Sequence, residues 1–539
     1  MEKKMNKQKN EKMSVFEKVK AKVSFRDIKT QNNLPTLIIT IVAVIARFVA
    51  FIFANPAFYQ HDVMINDVGG HFDYAMHIFN NWHLADNNYY EFAQPPLNAI
   101  LQAIFMKFIF IFKDYGDDYI ALYTNCKVLS LIYSLIILYL FYKIINEFDL
   151  KKSLATLFYG IMALYPGLII MTTQYSNDLL SYVFFYLSIY LCIRWAKAPK
   201  FSTIILLALS IGFGMLTKIS VGLVAFIVGP MMLAVLIHSI KESKHKESLV
   251  KKLIDGIRKK KDGDALAPVK PQTIVLQLLV FLVIVTPLGL SYGIRNYMLF
   301  GQSFTYISED IVRESIFALR GKNYSDIERY WSFAFSKLYD GRYDIFHDYT
   351  EYNIWVDLVK TSAFDEFQFR DTVFYPVLVV VWLYNILFYF VSTIAIIYNV
   401  VTLILAAVKK EIENIAWNIL NLRLLSIMLY VLAMLAFLLF NMNYPYSCNS
   451  NFRYVAYIIF ALAGNLIVLV NDAPIIRVNM ESFLNKLFDE DKTKKAPKTQ
   501  KTKKKAVVNK KKSQQAITTK QKPASKDKNT KEPSKKKKV

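Results

Sequence analysis

Acidic and histidine side chains are concentrated in one short segment, residues 61–77, which reads HDVMINDVGGHFDYAMH. A carboxylate in this segment, with Asp67 as the first candidate and Asp62 as its competitor, can remove a proton from an attacking hydroxyl group. The segment directly follows an apolar run, so it lies where membrane and water meet, within reach of a lipid-borne substrate. Glu91 is a further acid, shortly before the sequence QPPL at 94–97.

Three basic side chains stand at the ends of later apolar runs: Lys218, Arg295 and Arg453. Arg295 and Arg453 lie on the outer side of the membrane, where the positive-inside rule disfavours cations, so each of these two arginines needs an anionic partner. Arginine binds phosphate in a fixed bidentate geometry, and lysine binds it as a point charge. The partner is therefore either the phosphate of a lipid substrate or an acid such as Asp178, at the outer mouth between two runs. Lys218, at the tip of a tight hairpin, either reaches the outer headgroups or binds phosphate.

Purely structural roles compete with these assignments. Asp67 can cap a short surface helix, and Asp178 can cap the helix that follows it. His71 either contacts a phosphate or packs the loop. His61, His71 and His77 suggest a zinc site, but no HExxH-type motif supports metal hydrolysis. We therefore name no definite cofactor. Binding of a divalent cation (Mg²⁺ or Mn²⁺) by Asp67 and Asp178 is left open as an alternative.

Membrane helices must position these residues, because the chain is 54% hydrophobic and apolar runs of bilayer-crossing length recur along it. We predict an all-α polytopic membrane protein with about ten transmembrane helices. The runs are 34–54, 121–143, 153–173, 178–196, 202–217, 219–238, 273–293, 376–408, 423–441 and 453–472.

The distribution of lysine predicts the topology. The net charge is +24, and lysines crowd residues 1–30, 241–272 and 489–539. These clusters flank apolar runs, so they indicate cytoplasmic segments, and we expect no nucleic acid as a partner. The apolar stretch 95–112 contains Lys107, and if it crossed the membrane every later basic loop would face outward. We therefore predict that 95–112 lies along the outer surface without crossing.

This topology divides the chain into three parts. Residues 1–33 are a basic cytoplasmic N-terminus with an amphipathic helix, and 34–472 are the transmembrane domain. Residues 473–539 are a lysine-rich, disordered cytoplasmic tail that attracts anionic lipid. The membrane domain has two large outer loops, 55–120 and 294–375. The first is predicted to contain helices that lie on the surface, one of them from Tyr74 onward, and no single residue is assigned a role in the second.

The motifs, taken in order, resemble the first outer loop and later turns of GT-C glycosyltransferases, in the branch of protein O-mannosyltransferases and aminoarabinose transferases. The matching residues are Asp67-x-x-x-His71-Phe, Glu91-x-x-Gln94-Pro95-Pro96-Leu97, Ser176-Asn177-Asp178-Leu179, Gly214-x-x-Thr217-Lys218, Arg295-Asn296-x-x-x-x-Gly301 and Phe452-Arg453-Tyr454. The set covers residues 34–472. The chain departs from the family at Val68, where the second acid of an Asp-Glu pair usually stands, and Asp73 or Glu91 would have to replace it.

The resemblance implies a GT-C-like fold and the inverting transfer of one sugar from a polyprenyl-phosphate carrier to an acceptor outside the cytoplasm. It implies Asp67 as the base, with His71, Lys218, Arg295 and Arg453 around the donor phosphate. The acceptor is a glycan, a lipid or a protein, and the setting a bacterial cell membrane with both termini in the cytoplasm.

Other classes of function remain open. A transporter or flippase would carry ionisable residues near span midpoints and a half-to-half repeat, and neither pattern stands out here. The proposal of a polysaccharide polymerase of the envelope glycan pathway would depend mainly on arginines in an outer loop. The acidic first outer loop favours the transferase instead. A degenerate family member that serves as a scaffold is the third alternative, and Val68 adds some weight to it.

Overall fold

The computed structural model describes residues 34–55, 70–86, 91–243, 269–302, 327–332, 353–365, 375–444, 447–474, 476–479 and 482. These residues form α-helices and short 3₁₀ or π turns and no β-strand, which confirms the all-α prediction. The helices are α1 Leu34–Phe53, α2 His71–Asn81, α3 Leu97–Phe110, α4 Tyr119–Cys126, α5 Val128–Asn146, α6 Lys152–Leu164, α7 Pro166–Ile170, α8 Asp178–Lys197, α9 Phe201–Met215, α10 Ala225–Ser243, α11 Pro271–Phe300, α12 Ile354–Phe364, α13 Tyr375–Val408, α14 Trp417–Asn443 and α15 Ile458–Asp472.

Within the described part of the chain, seven helical segments are long and apolar enough to span a membrane, and α6 with α7 makes an eighth if that bent pair is one span. Each of the ten predicted runs contains a helix. However, α9 and α15 have 15 residues each and are shorter than the other spans. The prediction of a polytopic membrane protein is confirmed, and the count of ten is not.

Several sequence predictions fall on residues outside the described ranges. These are the amphipathic helix of residues 1–33, residues 244–268 of the basic loop 241–272, the tail from 483, and the proposed base Asp67 with its neighbours.

A break between α6 and α7 bends this pair by 52°. Pro166 opens α7 and has no N–H to continue the α6 hydrogen-bond ladder. Arg47, buried in α1, donates from Nη1 to the carbonyl oxygen of Ala163 at 2.8 Å and from Nε to Ser134 Oγ at 2.9 Å. The last carbonyls of a helix have no intrahelical partner and carry partial negative charge, so this buried guanidinium stabilises the broken end of α6.

The stretch 95–112 forms α3, a helix of 14 residues. It packs against α2, where Lys107 Nζ lies 3.9 Å from the centroid of the Phe79 ring. At its start, the N–H of Leu97 donates to the carbonyl oxygen of Leu216 at 2.9 Å, which ties α3 to the turn after α9. That α3 lies along the surface without crossing the membrane stays a prediction.

Two glycines allow close packing around that turn, as small residues in membrane helices commonly do. A Cβ on Gly212 would lie 2.6 Å from the Leu288 side chain of α11, and one on Gly214 would lie 2.5 Å from Val221. Both distances are shorter than any normal carbon–carbon contact. The close approach of α9 to α11 sets the position of the Thr217-Lys218 turn, where the candidate site begins.

Candidate active site

A buried cluster of opposite charges joins three segments that are far apart in sequence. The carboxylate of Asp178, the first residue of α8, accepts a hydrogen bond from Lys218 Nζ, and Arg453 Nη1 lies 4.0 Å from its other oxygen. Asp178 and Arg453 are 3% and 1% exposed, and Lys218 is 17% exposed. The ring of Tyr454 lies beside both cations, 4.7 Å from Lys218 Nζ and 5.1 Å from Arg453 Cζ. These three charged groups together carry a formal charge of +1.

The backbone explains why these side chains meet. An acid in the first turn of a helix is stabilised by the helix dipole, and Asp178 occupies that place in α8. Its side chain binds Lys218, and its backbone N–H donates to Ser176 Oγ at 3.2 Å. Lys218 is extended, with φ −157°, and its N–H donates to the carbonyl oxygen of Gly214 at 2.8 Å. A tight turn therefore ends α9 and directs Lys218 to Asp178.

Gln94 and Asn98 of the first loop are hydrogen-bonded to the two residues that precede Asp178. Asn177 Nδ2 donates to Gln94 Oε1 at 2.9 Å and to the carbonyl oxygen of Thr217 at 3.3 Å. Asn98 Nδ2 donates to the carbonyl oxygen of Ser176 at 3.3 Å. The structure thus brings together three motifs that the sequence analysis placed in order along the chain: those at 91–97, 176–179 and 214–218.

Glu91 and His71 form a second side-chain contact, within the first loop. His71 Nδ1 lies 3.1 Å from Glu91 Oε2, and the two side chains are 10% and 3% exposed. His71 opens α2, whose N-cap is Gly70, and Asp73 Oδ2 accepts a hydrogen bond from the Gly70 N–H at 3.1 Å. The N-cap position of α2 is thus Gly70, and the alternative that Asp67 caps this helix concerns a residue outside the described ranges. Contact of His71 with a phosphate stays a prediction.

Helix α2 is held against the end of α11 through two tyrosines. The hydroxyl groups of Tyr74 and Tyr292 are 3.1 Å apart, and Tyr292 donates to the carbonyl oxygen of Phe92 at 2.9 Å. Burial, and secondarily the neighbouring Tyr292, raises the pKa of Tyr74 well above its usual value. The phenol therefore stays protonated and remains a hydrogen-bonding group that holds α2 in place.

Arg295 lies at the same end of α11 and contacts the first loop. Its guanidinium donates to Asn296 Oδ1 at 2.8 Å and to the carbonyl oxygen of Ala85 at 3.4 Å. Six residues after Arg295, Gly301 has φ +65° and ends α11 in the left-handed conformation that glycine favours. The motif Arg295-Asn296-x-x-x-x-Gly301 thus forms the C-terminal end of α11. Its contacts place Arg295 beside the loop that follows α2, and its predicted role at the donor phosphate stays a prediction.

The segment that carries Arg453 is held through its backbone. Tyr182 in α8 donates its hydroxyl to the carbonyl oxygen of Arg453 at 2.5 Å and accepts from the N–H of Ala456 at 2.9 Å. Asn451 Oδ1 accepts from the N–H of Arg453 at 2.9 Å. The sequence analysis missed Tyr182 and Asn451, since a tyrosine inside an apolar run and an asparagine in a short loop carry no distinctive pattern.

The described residues contain no group of three or more His, Cys, Asp or Glu side chains that could hold a metal ion. Of the histidines in the zinc hypothesis, His61 lies outside the described ranges and His71 binds Glu91. His77 instead lies beside His83, with Nε2 and Nδ1 3.4 Å apart, and partial burial together with that neighbour lowers the pKa of His77. A divalent cation on Asp67 and Asp178 stays a prediction.

Residues 82–294 match the family model of the dolichyl-phosphate-mannose-protein mannosyltransferases. This match confirms the resemblance to the mannosyltransferase branch of the GT-C glycosyltransferases. The oligosaccharyltransferase of Archaeoglobus fulgidus in its apo form is a solved structure similar to this chain, with 12% identity and a TM-score of 0.42. The similarity covers 83% of this chain and 52% of that one, so the chain spans about half the length of the archaeal protein. No curated protein matches the chain.

Proposed function

We propose that this multi-pass membrane protein, a GT-C-type glycosyltransferase by its match to the mannosyltransferase family, transfers one sugar from a polyprenyl phosphate to an acceptor on the extracytoplasmic side, with inversion at the anomeric carbon. The observation that carries the proposal is the cluster of Asp178, Lys218 and Arg453. A polyprenyl-phosphate sugar is a phosphodiester with one negative charge, which complements the +1 charge of these three groups.

The cations act on the leaving group. When the bond between the anomeric carbon and the phosphate oxygen breaks, the electron pair stays on that oxygen, and the phosphate changes from a diester into a monoester. A phosphate monoester carries a charge of about −1.5 to −2 at pH 7. Lys218 and Arg453 are held in place before the donor arrives, so they stabilise this added charge without costly rearrangement. The Asp178 carboxylate, which contacts both cations, keeps them oriented.

The acceptor hydroxyl must lose its proton as it attacks, and we assign this step to Asp67. In an inverting transfer the nucleophile enters from the side opposite the leaving group, so the base has to lie across the anomeric carbon from the two cations. Asp67 precedes α2 by four residues, and α2 is fastened by the contact between His71 and Glu91. A positioned base of this kind contributes about 10²- to 10⁴-fold to the rate.

Placement of the reaction outside the cytoplasm is supported by the lysine-rich segments, which the positive-inside rule assigns to the cytoplasmic side. In sealed vesicles of known orientation, a membrane-impermeant acceptor should be glycosylated only when the face opposite the lysine-rich tail is accessible. Glycosylation from the tail side would refute this placement.

The activity is tested by incubating the purified full-length protein with a panel of radiolabelled polyprenyl-phosphate sugars and scoring which donor is consumed. We expect one donor to be consumed by the wild-type protein. Consumption of no donor at all would favour the transporter or scaffold hypotheses. In the same assay, Asp67→Asn should lose sugar transfer. Asp62→Asn is its matched control, because it removes the competing carboxylate of the same loop. Loss of turnover in Asp62→Asn instead would reassign the base.

A further inference from the structure

Helix α12 lies in the second predicted outer loop, to which the sequence analysis assigned no functional residue, and it is almost entirely buried. Apart from the partly exposed Trp355, every residue from Ile354 to Phe364 is buried. Its N-cap residue is Asn353, whose side chain accepts from the N–H groups of Trp355 and Val356 and donates to the carbonyl oxygen of Glu328 at 2.6 Å. On another side, a Cβ on Gly167 of α7 would lie 2.2 Å from the carbonyl oxygen of Ser362. This buried helix is therefore in close contact with the membrane bundle.

Three polar residues follow one another along α12 at intervals of four: Asp357, Thr361 and Asp365, the last at the C-cap. Residues spaced by four lie on one face of a helix. A buried polar side chain costs stability unless it is hydrogen-bonded, and apolar side chains would pack at this place without that cost. A row of three buried polar side chains therefore indicates specific partners.

Their partners are three consecutive residues, 450–452. Ser450 Oγ donates to Asp357 Oδ2, and Asn451 Nδ2 donates to Asp365 Oδ1 at 2.6 Å. The backbone N–H of Phe452 donates to Thr361 Oγ1 at 2.8 Å, and the Thr361 hydroxyl itself donates to the carbonyl oxygen of Asp357 at 2.8 Å. The proton of the Thr361 hydroxyl is thus already used, and its oxygen is left to accept from Phe452. We name these three contacts between α12 and residues 450–452 the α12 clamp.

The residue that follows the clamped segment is Arg453. Asn451 connects the two, because its amide nitrogen binds Asp365 while its amide oxygen accepts from the N–H of Arg453 at 2.9 Å. From the opposite side, Tyr182 binds the carbonyl oxygen of Arg453. The backbone of Arg453 is therefore held between α8 and α12. This arrangement leaves the guanidinium beside Asp178 and Tyr454.

We propose that Asp357, Thr361 and Asp365 are positioning residues for the donor phosphate: the α12 clamp orients Arg453, so tight donor binding requires α12 to be docked. The second loop thereby gains a role in donor recognition. The inference rests on the proposed function in one respect, namely that Arg453 binds the phosphate of the donor.

Thr361 offers the sharpest test, because two substitutions separate shape from hydrogen bonding. Thr361→Val keeps the branched shape and loses the acceptor for Phe452, whereas Thr361→Ser keeps the hydroxyl group. We expect Thr361→Val to raise the donor KM, and the dissociation constant for sugar-free polyprenyl phosphate, about three- to tenfold, the range for loss of one hydrogen bond. Thr361→Ser should restore values close to wild type. Thr393→Val is the control for a threonine whose hydroxyl binds only a carbonyl of its own helix.

The split between KM and kcat distinguishes positioning from a merely structural role. If the hydroxyl only supports folding, Thr361→Val lowers the fraction of active protein and hence the apparent kcat, with an unchanged donor KM; that result would overturn the inference. In an Arg453→Gln background, the clamp has no guanidinium to orient, so adding Thr361→Val should leave KM and the phosphate affinity unchanged. Equal effects of Thr361→Val in the two backgrounds would also contradict positioning through Arg453.

Failure of the proposed function is recognised separately. If wild-type protein binds no polyprenyl phosphate and consumes no donor, the proposed function is wrong and this inference falls with it. If wild-type protein binds the lipid phosphate and Thr361→Val binds it equally well, the proposed function stands and the clamp alone is refuted.

Discussion

Replacement of Lys218 by methionine removes one of the two cations beside Asp178 and keeps a side chain of similar length. Lys218 either serves only as the counter-ion of Asp178 or also binds the donor phosphate, and the two roles predict different results. The Asp178 carboxylate is 3% exposed, so it loses its hydrogen-bonded partner with little access to water.

The stability effect follows from that burial. Removal of one partner from a buried ion pair costs about 3–5 kcal/mol. Arg453 remains 4.0 Å from the carboxylate and compensates in part, so we expect a loss of about 2–3 kcal/mol for Lys218→Met. The apparent melting temperature of the detergent-solubilised protein should fall accordingly. Lys218→Arg keeps a cation beside Asp178 and should retain most of the wild-type stability.

The effect on the donor follows from the phosphate contact. A hydrogen bond to a charged group contributes about 1.5–3 kcal/mol, which corresponds to about a ten- to hundredfold change in affinity. We therefore expect Lys218→Met to raise the donor KM by about that factor, and Lys218→Arg, which keeps the charge in another geometry, to raise it less.

The donor KM of Lys218→Met, compared with its melting temperature, decides between the roles. Steady-state kinetics with the donor identified in the panel, together with melting curves of the same preparations, supply both measurements. If Lys218→Met lowered the melting temperature and left the donor KM at the wild-type value, Lys218 would be only a counter-ion, and the reasoning that places the phosphate on this cluster would be refuted.

Three further predictions concern other parts of the chain. Asp67→Asn should lower the turnover number by about 10²- to 10⁴-fold with normal membrane insertion, measured by donor consumption and membrane fractionation; near-normal turnover would remove it as the base. Gly167→Ala places a Cβ 2.2 Å from the Ser362 carbonyl oxygen, so it should lower the melting temperature and raise the donor KM. Gly229→Ala is the control, because a Cβ there has nothing within 4 Å and should change neither quantity. Equal behaviour of the two variants would contradict tight docking of α12. Arg295→Lys keeps the charge but not the planar fork, so a donor KM raised by Arg295→Lys would support a bidentate phosphate contact, and an unchanged KM would leave Arg295 as an anchor of the first loop.

The sequence alone was sufficient for the fold class and for most of the helix positions. Apolar runs of bilayer length need no knowledge of their neighbours, because the lipid itself requires that every backbone group be bonded within the helix. Helix bounds were less predictable: α9 ends at Met215, before its apolar run ends at 217, and α15 begins at Ile458, after its run begins at 453. A turn such as that at Lys218 depends on the packing of Gly212 and Gly214 against other elements.

The candidate site was predictable as a set of motifs but not as a geometry. The sequence analysis named Asp178 as one of two alternative partners of the arginines. The structure places it near Arg453 and also against Lys218, for which that partner had not been named. Arg295 belonged to the same predicted group and instead contacts Asn296 and the carbonyl oxygen of Ala85. Motif order indicates which residues belong to a site, whereas distances between them depend on how helices pack.

The first outer loop, where the analysis began, and the second loop illustrate the difference. The types and spacing of the acids and histidines at 61–77 were enough to propose general-base chemistry, because that chemistry is a property of the side chains. No sequence pattern indicated the role of Asp357, Thr361 and Asp365. That role depends on their hydrogen bonds to residues 450–452, about ninety positions away. Sequence patterns record local periodicity and composition, and only the tertiary structure decides which distant hydrogen-bonding groups meet in the interior, where each of them must find a partner.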